Sequence, residues 1–164
     1  MRATLHLLCG KVAAGKSTLA RRLAEAPGTV LLVEDEWTSR LYPGELATIE
    51  DYARRAARIR EVVGPLAVQL LRAGLSVVLD FQANTPKVRA WMRGIFEAAG
   101  AAHRLYLLDP PDAVCKARLQ ARNAAGEHAY QVSDAEYDAI TRYFVPPAPE
   151  EGFNVLSGDQ LHLE

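Results

Sequence analysis

The sequence has only two cysteines, Cys9 and Cys115, with no second pair and no metal-ligand spacing around them. That excludes a disulfide-stapled secreted module and predicts reduced thiols in the cytoplasm. Cys9 closes an apolar run, which makes it a small buried hydrophobe rather than a nucleophile. No apolar run approaches the ~20 residues of a membrane-spanning helix. The first nine residues are too short for a secretory signal and lead straight into a glycine loop that must be retained. An excess of either charge is missing as well: 19 basic residues face 20 acidic ones, for a net charge of −1 and a pI near 6.4. Such a chain has no global field to draw in nucleic acid, which puts a polynucleotide partner behind a small molecule. Internal repeats, low-complexity tracts and linkers are absent too. The 164 residues are expected to form one domain, as a monomer or weak dimer.

What the sequence does have is alternation. Apolar runs at Thr4–Cys9, Thr29–Val33, Leu75–Leu79, Arg104–Leu108 and Phe153–Leu156 read as strands. Between them lie helical patterns: Gly15–Ala26, a long one from Thr48 to Ala73, Pro86–Ala99 behind a Thr85 cap, Pro111–Arg122, and one opened by the capping box Ser133-Asp134-Ala135-Glu136. Gly64-Pro65 predicts a break in the long helix. Val88, Trp91, Met92, Ile95, Phe96 and Ala99 recur at helical spacing and are core positions. Strands alternating with helices imply a mostly parallel five-stranded sheet covered on both faces, a three-layer α/β fold.

One motif carries chemistry outright. Gly10-Lys11-Val12-Ala13-Ala14-Gly15-Lys16-Ser17 lies between a strand and a helix. Its glycines let backbone N–H groups curl inward into an anion nest at a helix N-terminus. Lys16 reaches the β- and γ-phosphates, the Ser17 hydroxyl ligates Mg²⁺, and Thr18 follows on the helix. The expected cofactors are ATP and Mg²⁺; the guanine-reading run Asn-Lys-x-Asp does not occur.

Ligands of a parallel sheet sit beyond the carboxyl ends of its strands. Two strands deliver acids there. The second ends in Glu34-Asp35-Glu36, of which Asp35 is the first choice for the base that takes a proton from an acceptor hydroxyl, with Glu34 and Glu36 as alternatives. The third ends in Asp80, the position that holds Mg²⁺ with Ser17. Arg118 and Arg122 share a helix face at i, i+4 and enter a polar segment at about 123–133 that reads as a short lid, from which they would meet the transferred phosphoryl group. Arg40, Arg54 and Arg58 are candidates for the acceptor site, although Asp51 pairs with Arg55 at i, i+4 and Glu61 lies one turn from Arg58, the pattern of a solvated face.

With those residues assembled, the chain resembles the small P-loop kinases that include zeta toxin, polynucleotide 5′-kinase and chloramphenicol phosphotransferase. More closely, it resembles the bacterial ATP-binding AAA-domain proteins of that group. The resemblance rests on Gly10 to Leu19, Glu34-Asp35, Val78-Leu79-Asp80-Phe81, Arg118-Leu119-Gln120-Ala121-Arg122-Asn123 and Phe144-Val145-Pro146-Pro147. It implies a P-loop kinase-like core, ATP with Mg²⁺, an acidic base at Asp35, and lid arginines at Arg118 and Arg122. Lys11-Val12-Ala13-Ala14 departs from the Pro-Gly-Ser type of loop. The expected activity is transfer of the γ-phosphate to a hydroxyl of a small molecule or nucleotide, with a polynucleotide 5′-kinase or a non-kinase ATPase switch as alternatives.

Overall fold

The computed structural model describes residues 2–126 and 131–161. Its centre is β1 (Thr4–Cys9), in which Leu5, Leu7, Leu8 and Cys9 are all fully buried. An apolar run of this kind, without polar alternation, marks a strand covered on both faces. β2 (Thr29–Val33), β3 (Ser76–Gln82), β4 (Ala102–Leu107) and β5 (Val155–Ser157) complete a parallel sheet of order β2-β3-β1-β4-β5. From β1 the chain moves first to one side, to β2 and β3, and then to the other, to β4 and β5. The carboxyl end of β1 is therefore the topological switch point, where α/β sheets open a crevice for ligands.

Helices cover both faces. α3 (Ile49–Arg72) and α4 (Pro86–Ala99) bury Ile59, Val63, Ala67, Leu71, Met92, Ile95 and Phe96 on one side. α1 (Lys16–Leu23) packs Leu19 and Ala20 against Leu8, Val78 and Tyr106 on the other. α5 (Asp112–Ala125) and α6 (Asp134–Thr141) form a third cluster around Cys115, Leu119 and Tyr137. The Thr85 cap and the Ser133 capping box both form.

Three elements differ from expectation. Glu34–Leu41 is a helix, α2, and Val33 serves at once as the last residue of β2 and as its N-cap. The predicted break at Gly64-Pro65 does not occur, and α3 runs through Pro65. The steric clash that bars residues before proline from helix involves a Cβ, which Gly64 lacks. A Cβ there would also lie 2.9 Å from Trp91 Nε1, so glycine is needed for the approach of α4. Finally, β3 continues past Asp80 to Gln82, with a register irregularity against β1 between Leu79 and Gln82.

Arg89 falls on the core face of α4 and is fully buried. Its Nε and Nη2 hold Glu151 at 2.7 and 3.1 Å, and Nη1 donates to the carbonyls of Ala83 and Val145 at 2.9 and 2.7 Å. One side chain thus ties the end of β3 to the segment following α6, and keeps the Glu151 carboxyl below the usual carboxylate range. Arg89→Leu is expected to leave these acceptors unpaired and to cost about 3 kcal/mol, a fall of roughly 6–12 °C in Tm. Thermal unfolding checks this; a change under ~2 °C would contradict it.

Candidate active site

The loop after β1 is held from two sides. Gly10 donates its N–H to Asn84 Oδ1 at 2.9 Å, and Asn84 Nδ2 donates back to the Gly10 carbonyl at 2.7 Å. A Cβ at Gly10 would stand 2.7 Å from the Leu108 carbonyl oxygen, so only glycine fits. Val12 and Ala14 are buried against the α5–α6 cluster. Between these anchors Ala13 (φ 61°) and Gly15 (φ 104°) take the left-handed conformation that curls the backbone into a nest. Lys11 extends out of the loop to Asp112, 3.0 Å away, which also accepts from the Tyr137 hydroxyl at 2.8 Å.

Lys16 is only 8% exposed, and its Nζ donates to the carbonyls of Gly10 and Lys11, both at 2.6 Å. Burial pulls its pKa down to about 8, with Asp80 as the strongest opposing influence. No carboxylate forms an ion pair with it among the described residues. A buried ammonium bonded to main-chain oxygens alone, at the mouth of a curled loop, suits a polyphosphate. Next to it the Ser17 hydroxyl hydrogen-bonds Asp80, whose pKa is raised by burial. The irregularity at Leu79–Gln82 sits beside Asp80, as bulges do where a strand re-aims a side chain. Thr18 is exposed on α1.

The acidic run opens α2. Glu34 is buried, while Asp35 and Glu36 are exposed. Tyr52 of α3 donates its hydroxyl to Asp35 and lies 3.2 Å from Glu34 Oε1. Asp35 is within electrostatic reach of Lys16, Asp80 and Arg122. Burial, with Asp35 second, pushes Glu34 up to about 7. Folded Glu34 therefore holds its proton over a pH range in which the unfolded chain has lost it. Stability falls as pH rises from about 4.5 to about 7 and stays reduced above that. Glu34→Gln is expected to be the more stable protein at pH 8, by up to ~3 kcal/mol, with the advantage vanishing near pH 4. Denaturant titrations at the two pH values test the sign; a gain confined to acid pH would reverse it.

Arg118 Nη1 donates to the Ala14 carbonyl at 3.3 Å and stands 3.8 Å from where a Gly15 Cβ would be. Arg122 is half-buried, its Nε has no hydrogen-bond partner among the described residues, and burial lowers its pKa against the pull of Asp35. From α5, Arg118 thus reaches the loop and Arg122 lies within electrostatic reach of Asp35. Of the predicted lid, α5 supplies residues to Ala125, and Asn123 Nδ2 donates to the Val132 carbonyl at 2.7 Å. Residues 127–130, including His128, lie outside the described residues.

The acceptor arginines fall elsewhere. Arg54 is exposed in an ion pair with Asp51 at 2.7 Å. Arg58 lines a separate groove between α2 and α3 with Trp37, Leu41 and Val62. Arg40 is exposed in the last turn of α2. Instead Arg60, with Tyr52 and Ala56, lines a cavity of about 200 Å³ between α3, the end of β3 and the segment after α6. Glu34, Asn84, Thr141 and Phe144 complete its walls, and Lys11 and Val12 bring the phosphate loop to its edge. Tyr52, Ala56 and Arg60 stand at i, i+4 and i+8 on one helix stripe. Asn84, Tyr52 and Arg60 are the residues the sequence reading did not pick. For Arg60 the i, i+4, i+8 pattern from Tyr52 was the available signal; for Asn84 there was none.

A parallel sheet of order β2-β3-β1-β4-β5 with a phosphate-type loop at its switch point defines a P-loop kinase-like α/β protein. The chain belongs to the AAA-domain family, whose model matches residues 5–147. Among solved structures it is similar to a candidate kinase of Chloroflexus aurantiacus, with 22% identity, 98% of this chain and 86% of that one covered, and a TM-score of 0.76. It is similar too to the APS kinase CysC of Mycobacterium tuberculosis in complex with AMPPNP and APS (22% identity, 96% and 90% covered, TM-score 0.62). A third likeness is Kti12 of Chaetomium thermophilum in complex with ADP-AlF3 (14% identity, 96% and 93% covered, TM-score 0.65). No curated protein matches the sequence. At these identities the structural likenesses establish the fold.

Proposed function

We propose that this chain is an ATP-dependent phosphotransferase that moves the γ-phosphoryl group to a hydroxyl of a small acceptor. The observation that carries the reading is the grouping of Lys16, Ser17, Asp80, Asp35 and Arg122 around the switch point, with a small cavity beside it. The curled loop and Lys16 bind the polyphosphate tail. Ser17 and Asp80 would hold Mg²⁺. Among the described residues no three His, Cys, Asp or Glu side chains gather as a closed metal site, and Mg²⁺ at phosphates takes only one or two protein ligands. Bound there, Mg²⁺ would neutralise charge on the β- and γ-phosphate oxygens.

Asp35, oriented by the Tyr52 hydroxyl, accepts the proton of the acceptor hydroxyl as its oxygen bonds to phosphorus and the bond from phosphorus to the ADP oxygen breaks. Arg118 and Arg122 are placed to meet charge on the transferred group. A polynucleotide acceptor is less well supported, because two arginines that would form a basic groove on α3 are engaged: Arg54 with Asp51 and Arg55 with Glu45. The two buried free thiols, Cys9 and Cys115, fit a cytoplasmic setting.

The test is γ-labelled ATP incubated with pooled nucleosides, oligonucleotides, sugars and antibiotics. Label in a small acceptor supports the reading. Label released only as inorganic phosphate would favour an ATPase switch, and label on oligonucleotide ends the nucleic-acid enzyme.

A further inference from the structure

The cavity beside the loop also constrains what enters it, provided the phosphotransferase reading holds. The cavity is partly open to solvent, and its inner part, about 200 Å³, has room for a group of sugar size. Once Glu34 ionises, above about pH 7, the charges on its walls balance. Glu34 and Arg60 both line it and act on each other electrostatically. Lys11 at its edge is paired with Asp112. What remains is Asp35, next to Glu34 and linked to it through the Tyr52 hydroxyl. An anionic acceptor would bring its charge against Glu34, Asp35 and the polyphosphate. A cationic one would meet Arg60. The remaining wall chemistry suits a polyol: Phe144 and Tyr52 offer aromatic surface for its C–H faces.

We infer that the acceptor is a small uncharged polyol of sugar size, with Glu34 and Arg60 as the pair that reads its hydroxyls and excludes charged analogues. Each carboxylate or guanidinium hydrogen bond to a hydroxyl adds affinity that a neutral site would not.

The experiment is γ-labelled transfer to three- to six-carbon polyols and sugars, each compared with its amino derivative and with its carboxylate or phosphate derivative. ATP affinity is measured on the same samples. The neutral members are expected to be phosphorylated with kcat/KM at least ~10-fold above their charged counterparts. Glu34→Gln and Arg60→Gln are each expected to raise KM for the neutral acceptor by ~10- to 100-fold. They should also shift discrimination in opposite directions, Glu34→Gln toward the anionic derivatives and Arg60→Gln toward the amino ones. A purely structural role would not produce that reversal. Preference of the wild-type protein for a charged derivative overturns the inference. So does failure to label any neutral member while ATP binds normally, and so do variants that shift the same way. Loss of ATP binding in the wild-type protein would instead remove the phosphotransferase reading on which the inference rests.

Discussion

Lys16→Met is expected to lower affinity for MgATP by roughly 10²–10⁴-fold while leaving the fold intact. The size follows from two charge-assisted hydrogen bonds to phosphate oxygens at ~1.5–3 kcal/mol each. The sparing of the fold follows from burial. Lys16 makes no ion pair among the described residues, and its pKa is depressed to about 8. A lysine so depressed costs stability at neutral pH, and that cost is relieved only as pH rises from about 8 toward the unfolded value. Methionine keeps the length of the side chain and removes the buried charge. The carbonyls of Gly10 and Lys11 lose a donor, which offsets part of the gain. The variant should therefore unfold no earlier than the wild-type protein at pH 7 and yet bind nucleotide poorly. Binding within threefold of wild type would remove Lys16 from the phosphate site. A collapse in Tm would make its role structural instead.

The second large effect is at Asp35. Asp35→Asn is expected to reduce transfer to the acceptor by ~10²–10⁴-fold with little change in ATP affinity, because asparagine cannot take the proton of the attacking hydroxyl. The amide oxygen can still accept from Tyr52, so the geometry of α2 is retained. Single-turnover kinetics with γ-labelled ATP separates this from a binding defect. Unchanged turnover would pass the role to Glu34 or Glu36. Of these, Glu34 lines the cavity, and Glu36 is exposed.

How much of this could be read from the sequence varies with the element. β1 and β2 have the boundaries their apolar runs define, because a strand buried on both faces needs an unbroken run of such residues. The caps of α4 and α6 were equally legible, being local hydrogen bonds between residues three apart. α2 was not, since no turn residue separates it from β2. Asp80 was placed at a strand end, and the irregularity that presents it inside the strand depends on pairing with β1. Arg54 and Arg58 were chosen from their spacing and chemistry. The rotation of α3 about its axis, set by Ile59, Val63 and Ala67 in the core, turns Tyr52, Ala56 and Arg60 toward the cavity instead. Arg89 and Asn84 join segments more than fifty residues apart, and no local pattern announces them.

The central claim is that the loop from Gly10 to Ser17 holds a nucleoside triphosphate. Isothermal titration of the wild-type protein with ATP in the presence of Mg²⁺ tests it most directly, with Lys16→Met in a parallel cell. One-to-one binding that weakens by at least ~10²-fold in the variant is the predicted result. No detectable heat for ATP or GTP, or equal binding by the two proteins, would contradict it.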